Sequence, residues 1–156
     1  MKKIFLAVTF CVLFIGNLFS QSEPYNLKNL NDVSVEIQDN ANLLSSTISQ
    51  KLLAEIKLHL ISAGIKVVSS DASSAQLAIK IDYIRSAFAE QRVLAQFDIY
   101  EKVVTERVGK IETEAITYND YSLFKAQNVS KEVYGVVMDK LLIRFINDYI
   151  SQKEAK

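Results

Sequence analysis

The clearest strand pattern of this chain is Ala75-Gln76-Leu77-Ala78-Ile79-Lys80-Ile81-Asp82-Tyr83-Ile84. From Leu77 onward, one set of alternate positions is apolar and the other is mostly polar. Successive side chains of a strand point to opposite faces of a sheet, so this alternation predicts a strand with one apolar and one mostly polar face. Such a strand belongs to a sheet that other elements cover on one face only.

Further strand patterns flank this stretch. They comprise the alternation of Val33, Val35 and Ile37, the β-branched run Ile65–Val68, the alternation from Val93 to Val104, and a weaker one over Ile111, Thr113, Ala115 and Thr117. Gly109, in the connection before the last of these, is expected to have a positive φ, which glycine adopts at no steric cost. The polar face of the two central strands carries Ala78, Lys80, Asp82, Gln96, Asp98 and Tyr100, and it is polar enough to face water or a polar partner.

Two segments change to the helical period. Ile48, Leu52, Ile56 and Leu60 form one face of a helix from about Ser45 to Ala63, and Gly64 is a suitable residue to end it. The second helix is predicted over 127–152. Its apolar spine is Val129, Val133, Val137, Leu141, Phe145 and Tyr149. Gly135 lies inside this helix, and close approach to the sheet would explain it.

The elements follow the order β-α-β-β-β-α, with Ile65–Val68 either a separate short strand or the start of the next one. This order predicts an α+β fold, a two-layer sandwich in which two helices cover one face of a mixed or antiparallel sheet. The single domain is expected to span residues 33–152. It follows a polar lead-in segment at 21–32 and ends in a polar tail at 153–156.

Residues 1–20 have the pattern of a secretory signal peptide. Met1-Lys2-Lys3 precede the uncharged, mostly apolar run Ile4–Phe19, and cleavage is expected before Gln21. The alternative is an uncleaved membrane anchor, but sixteen residues of helix rise only about 24 Å, less than the roughly 30 Å hydrocarbon core. We therefore predict an exported bacterial protein, periplasmic or associated with the outer membrane, with no transmembrane span after cleavage. Phe10 before Cys11 does not fit a lipobox, so Cys11 is interpreted as an ordinary residue of the signal.

Composition excludes several chemistries. The 156 residues carry 18 basic and 18 acidic side chains, so no global basic field favours nucleic acid. One cysteine and one histidine exclude an internal disulfide and zinc sites with several cysteines or histidines. Signal cleavage would remove Lys2 and Lys3 and leave a net charge of −2. No cofactor and no metal site is predicted.

Catalytic candidates are few. His59 is the only imidazole, and it flanks the apolar stripe of the first helix. Asp82 and Asp98 lie on neighbouring strands and could form a carboxylate pair on the polar face of the sheet. Lys80 and Lys102 could instead neutralise them as cross-strand ion pairs.

An aromatic group in the segment before the last helix is the candidate partner-binding spot. Tyr118, Tyr121 and Phe124 lie there beside Asn119 and Asp120. Exposed aromatic side chains commonly anchor protein interfaces. The alternative is that they pack against the final helix.

The arrangement of the elements resembles that of the LptE family, the plug subunit of the outer-membrane lipopolysaccharide translocon. The resemblance lies in Leu60-Ile61-Ser62-Ala63-Gly64-Ile65-Lys66-Val67-Val68, a helix ending in glycine before a strand, and in the alternating Ala75-Gln76-Leu77-Ala78-Ile79-Lys80-Ile81. Strands at 93–104 and 110–118 and the helix at 127–152 extend it over residues 33–152. LptE-like proteins are lipoproteins, and this chain departs from them in lacking a lipobox.

Together these features predict a non-enzymatic accessory protein of the cell envelope. It would bind a partner protein, or a lipid or glycan, during outer-membrane assembly. One alternative is a self-assembling secretion or surface component. Another is a small exported enzyme that uses Asp82 and Asp98 or His59.

Overall fold

The computed structural model describes residues 27–85, 91–106 and 109–154. The predicted signal peptide, residues 21–26 of the lead-in and the end of the tail lie outside them. The strands are β1 (Asp32–Asp39), β2 (Lys66–Val67), β3 (Ala75–Arg85), β4 (Gln91–Val104) and β5 (Glu112–Phe124). The helices are α1 (Ser46–Ser62) and α2, which runs over 129–154.

The five strands form one mixed sheet in the order β2-β1-β3-β4-β5. β1 pairs in parallel with both β2 and β3, whereas β3–β4 and β4–β5 are antiparallel. The prediction of an α+β fold with a mixed sheet and two helices is confirmed, and Lys66–Val67 is a separate short strand. The long central strand β3 is the stretch whose alternation predicted the sheet.

Local hydrogen bonds fix both ends of α1. The Ser45 hydroxyl accepts a hydrogen bond from the Ile48 N–H at 3.3 Å, which makes Ser45 the N-cap. After the helix, Gly64 has a φ of +85°, and the Ile65 N–H donates to the Leu60 carbonyl at 3.0 Å. This is the glycine termination that the sequence predicted.

One hydrophobic core lies between the helices and the sheet. The inward face of β3 contributes Leu77, Ile79 and Ile81, and α1 contributes Leu52, Ile56 and Leu60. The rings of Phe97 and Tyr118 meet Phe145 of α2 edge to face, with centroids 6.5 and 5.1 Å from it. Edge-to-face contacts of this kind add to the burial of the rings themselves.

The core also takes in residues of the predicted lead-in. Leu27 and Leu30 are buried, and the Leu27 N–H donates to the Gln152 side-chain oxygen at 2.7 Å. This bond ties the start of the described chain to the end of α2. α2 itself continues to Glu154, two residues beyond the predicted end at 152.

The middle of α2 is a π-helical segment, Val137–Leu142, between two α-helical parts. The predicted spine recurs every four residues, whereas an α-helix turns every 3.6 residues, so a regular helix would rotate the spine away from the sheet. The wider π turn corrects this drift. As a result Val133, Val137, Leu141, Phe145 and Tyr149 are all buried.

β5 extends seven residues beyond the predicted end at Thr117. The β4–β5 register shifts between Ile99 and Tyr100, which pair with Tyr118 and Ile116 and leave Thr117 as the extra residue of a bulge. The bulge reverses the phase of the inward-outward alternation, so the strand pattern in the sequence stops there. The placement of Tyr118, Tyr121 and Phe124 in a connection is therefore wrong, because all three lie on a strand.

Candidate interaction surface on the open sheet face

The two helices pack on one face of the sheet, and none of the described residues outside the sheet forms a helix on the other, which we call the open face. Strand register places the open-face side chains of β3, β4 and β5 in transverse rows. One row is Ala78, Asp98 and Asn119, the next is Lys80, Gln96 and Tyr121, and the third is Asp82, Leu94 and Leu123. The open face therefore has a polar centre and an apolar end.

Asp98 is the polar centre, and it is fully buried although it lies on the open face. Its carboxylate accepts hydrogen bonds from the amides of Gln96 at 2.8 and 2.9 Å and Asn119 at 2.6 Å, and from the Tyr100 hydroxyl at 3.3 Å. The Lys80 ammonium lies 2.9 Å from it and also donates to the Tyr100 hydroxyl. The predicted neutralisation of an aspartate by Lys80 across strands is confirmed.

The protonation of this cluster follows from its contacts. Burial raises the pKa of Asp98, but the hydrogen bonds from Lys80, Gln96 and Asn119 outweigh it, so the pKa lies below its ordinary value. The hydrogen bond to Asp98 raises the pKa of Lys80. Asp98 and Lys80 therefore form a charged pair at neutral pH that joins β3 to β4, while Asn119 joins it to β5.

The apolar end of the open face consists of Ile84, Leu94, Tyr121 and Leu123, and we call it the open-face apolar patch. Leu94 and Leu123 are directly opposite each other, and Ile84 and Tyr121 are diagonal neighbours of Leu94. Tyr121 is 61% exposed, and Ile84 and Leu123 are 41% and 43% exposed. Leu94, between them, is half-buried. A contiguous group of large apolar side chains that remain at least partly exposed is typical of an interaction surface.

The structure separates the three aromatic residues that the sequence grouped. Tyr121 belongs to the open-face apolar patch. Tyr118 points the opposite way, is only 1% exposed and donates to the Asp148 carboxylate at 3.2 Å. Burial and the nearby carboxylates raise its pKa. Tyr118 therefore fits the alternative in which these residues pack against the final helix. Phe124 also faces inward and packs half-buried against the core.

Sequence reasoning missed Ile84, Leu94 and Leu123. The sequence did contain an indication of Ile84 and Leu94, because both are apolar residues on faces of β3 and β4 that otherwise carry mostly polar side chains. Leu123 could not be assigned to a face, because the bulge at Thr117 changes the phase of β5.

The three candidate catalytic residues are not brought together. Asp82 pairs with Leu94, four residues along β4 from Asp98. Four residues of strand correspond to about 13 Å, too far for a carboxylate pair to share a proton or a cation. His59 is exposed on α1, in the layer on the other side of the sheet.

A small polar cleft of about 180 Å³ lies beside the open face, near the start of β3. Ser34, Ser73, Gln76, Tyr100 and Lys102 are among its lining residues. Its hydroxyls are engaged within the chain, since the Ser73 hydroxyl lies 3.1 Å from that of Ser34 and donates to the Ser70 carbonyl at 3.0 Å. These bonds hold the loop before β3 in place.

Within residues 27–85, 91–106 and 109–154, none of the helices has the length and apolar character needed to span a membrane. The predicted signal peptide lies outside those ranges, so this finding does not apply to it.

Comparison with known proteins finds solved structures that are similar to this chain, but it does not assign the chain to a family. No family model matches the chain, and no curated protein does. A PelC dodecamer structure from Paraburkholderia phytofirmans is similar over 87% of this chain and 95% of its own, at 11% identity and a TM-score of 0.42. A minor lipoprotein from Acinetobacter baumannii covers 80% of this chain and 93% of its own at 11% identity and a TM-score of 0.36. The hypothetical protein CT253 from Chlamydia trachomatis covers 78% and 99% at 7% identity and a TM-score of 0.41. No function follows for this chain from similarity at this level, and the LptE resemblance stays a prediction.

Proposed function

We propose that this chain is an exported, non-enzymatic binding module of the bacterial cell envelope. Its open-face apolar patch is the contact for a partner protein. The LptE-like arrangement of elements suggests outer-membrane assembly as the process that it serves.

The observation that carries the proposal is the composition of the open face. Leu94 and Leu123 lie side by side on a sheet face that no helix of the described chain covers, with Tyr121 next to them. Burying such side chains contributes roughly 25 cal/mol for each Å² of apolar surface removed from water. An apolar patch next to polar groups is the composition that specific protein interfaces use.

The polar centre supports a structural role for Asp98 over a catalytic one. Its carboxylate is occupied by Lys80, Gln96, Asn119 and Tyr100, and it is closed off from solvent. A general base must reach a proton on its substrate, which this carboxylate does not do in its present surroundings.

The test compares two double variants of the full chain. Leu94→Ser/Leu123→Ser removes the centre of the open-face apolar patch. Leu58→Ser/Ile61→Ser removes two equally large exposed side chains from α1 on the opposite layer, 63% and 57% exposed. After cross-linking in cells and detergent extraction of the envelope, the first variant is expected to lose the cross-linked partner and the second to keep it.

Circular dichroism and thermal melting must show that both variants fold. Equal recovery of the partner by both variants would reject the open face as the contact. Recovery of wild-type protein only as a free monomer would reject the binding module itself.

A further inference from the structure

The edge of the sheet at β5 offers a second, different contact. β5 is thirteen residues long and lies at the end of the strand order, so its outer side faces no strand of the described chain. The opposite edge is β2, which is only two residues long. Long edge strands are templates for pairing with another chain.

The backbone of β5 presents its free hydrogen-bonding groups at known positions. The Thr105 N–H donates to the Ile111 carbonyl at 3.1 Å, which directs Ile111 toward β4. Alternate residues of a strand point their backbone groups to opposite sides, so Glu112, Glu114 and Ile116 point outward. The open-face residues after the bulge, from Asn119 onward, point outward for the same reason, since side-chain face and backbone direction are coupled in L-residues.

We propose that β5 pairs antiparallel with β5 of a second copy, so that two five-stranded sheets become one continuous sheet. The two-fold axis passes through Asn119. With Thr117 counted as the extra residue of the bulge, Ile116 then faces Tyr121 of the second copy and Glu114 faces Leu123. Glu112 lies opposite Lys125, the first residue after β5. This contact lies at the edge of the sheet, and it shares Tyr121 and Leu123 with the open-face apolar patch that the proposed function uses.

Side-chain complementarity favours this alignment. Only two alignments overlap nearly the whole strand and keep inward residues opposite inward residues. The one centred on Asn119 sets Ile116 against Tyr121, and aromatic–β-branched pairs of this kind are favourable across strands. It also sets the acidic Glu112 against the basic Lys125. Both alignments set one glutamate against Leu123, but the other one also sets Glu114 against Tyr121 and has no matched charge.

The far end of the β4–β5 hairpin gives independent support. β3 ends its pairing with β4 at Ala75 and Glu101, so among the described residues 102–104 and 112–114 pair only with each other. Val104 and Ile111 at this end are 56% and 64% exposed. An isolated two-stranded ribbon is marginally stable in water. In the proposed dimer the end of β5 from the second copy adds a third strand to it.

The first measurement is the mass of the purified protein by sedimentation equilibrium over a range of concentrations. The wild type is expected to show twice the monomer mass. Glu114→Pro removes an outward N–H and leaves the bonds to β4 in place, so its mass is expected to fall two-fold to that of a folded monomer. Glu114→Ala keeps the N–H and is expected to stay dimeric.

The second measurement tests the alignment in a Cys11→Ser background, since Cys11 is the only native cysteine. Ile116→Cys/Tyr121→Cys is expected to form disulfide-linked dimers under mild oxidation. Glu114→Cys/Tyr121→Cys, which fits the other long alignment, is expected to remain largely unlinked.

A wild type that stays monomeric at all concentrations would overturn the proposal, as would dimers that persist in Glu114→Pro or preferential linking of the control pair. Binding of a different protein at this edge, with no self-association, would also overturn it. Because these measurements use purified protein alone, their result is independent of whether the open-face apolar patch binds an envelope partner.

Discussion

At the scale of single residues, the most informative side chain is Asp98. Its alternating position predicted a polar face, and that placement is correct, but the burial of the carboxylate under Lys80, Tyr100 and Gln96 was not visible in the sequence. Burial of an ion pair depends on which residues stand beside it on neighbouring strands. The register of β3, β4 and β5 decides that, and register is a property of the assembled sheet.

Asp98→Asn is expected to destabilise the fold by about 3 kcal/mol at pH 7, because it leaves the Lys80 charge without its buried partner. The folded-state pKa of Asp98 lies below the unfolded value of about 3.9, so its ionised form stabilises the fold above about pH 4. This contribution is lost as the pH falls below that value toward the lower folded pKa. Urea denaturation from pH 7 to pH 2.5 measures it, and the wild type should lose more stability over the acid range than Asp98→Asn.

Asp82→Asn is the matched control, since Asp82 lies on the same face outside the Asp98 cluster. A loss of stability in Asp82→Asn equal to that in Asp98→Asn would contradict the assignment of Asp98 as the centre of the network.

At the scale of elements, the sequence pattern of α2 correctly predicted a helix and its buried face, but it did not predict the π-helical turn. The four-residue spacing of its spine was plain in the sequence, and every spine residue after Val129 is buried. The π segment Val137–Leu142 keeps this spine on one face of the helix. It is needed because the spine has to face the sheet along the whole length of α2. The same dependence explains β5, where the bulge at Thr117 hid the second half of the strand.

Removing one exposed residue from the π segment should be tolerated better than removing one from regular helix. Deletion of Asp139 converts the wide turn into an α-helical one and leaves Val133 and Phe145 facing the sheet. Deletion of Asn147, also exposed, instead rotates buried Tyr149 and the Gln152–Leu27 hydrogen bond by about 100° around the helix. Thermal melting should rank the Asp139 deletion above the Asn147 deletion, and the reverse order would refute this role of the π segment.

Gly135 is not required by close packing, contrary to the expectation from the sequence. A Cβ at this position would meet only the Asp139 carboxylate, at an ordinary 3.7 Å. Gly135→Ala is therefore expected to stabilise the protein by about 1 kcal/mol through helix propensity. Gly64→Ala is the contrasting variant, expected to destabilise by about 1 kcal/mol because φ there is +85°. Chemical denaturation of both variants checks the two signs, and destabilisation by Gly135→Ala would be the contrary result.

At the scale of the whole molecule, the core joins segments that are distant in the chain. Leu27 lies against the end of α2, 125 residues away, through its N–H bond to Gln152. The sequence showed a polar lead-in at this place, because two leucines among polar residues have no period that predicts burial. Contacts between segments this distant in the chain bury apolar side chains that no local sequence pattern predicts.

Leu27→Ala is expected to cost about 3 kcal/mol of unfolding free energy, in the range for truncation of a buried leucine. Asn29→Ala, at a nearby exposed position, should change the free energy of unfolding by less than about 0.5 kcal/mol. Urea denaturation of both proteins measures the difference, and similar values for the two would argue against burial of Leu27.

The α+β class, the order of the long elements, the glycine that ends α1 and the apolar stripes that face the core are all predictable from the residues alone. These features depend on local periodicity and local backbone preference, which a single chain segment carries. The assembled sheet was needed to show that Tyr118 is a core residue and Tyr121 a surface residue. It also showed that Asp82 and Asp98 lie far apart, and that Ile84, Leu94 and Leu123 form a patch with Tyr121. The physical reason is that strand register and the bulge at Thr117 set these neighbours, and both arise from pairing between strands rather than from the residues of any one strand.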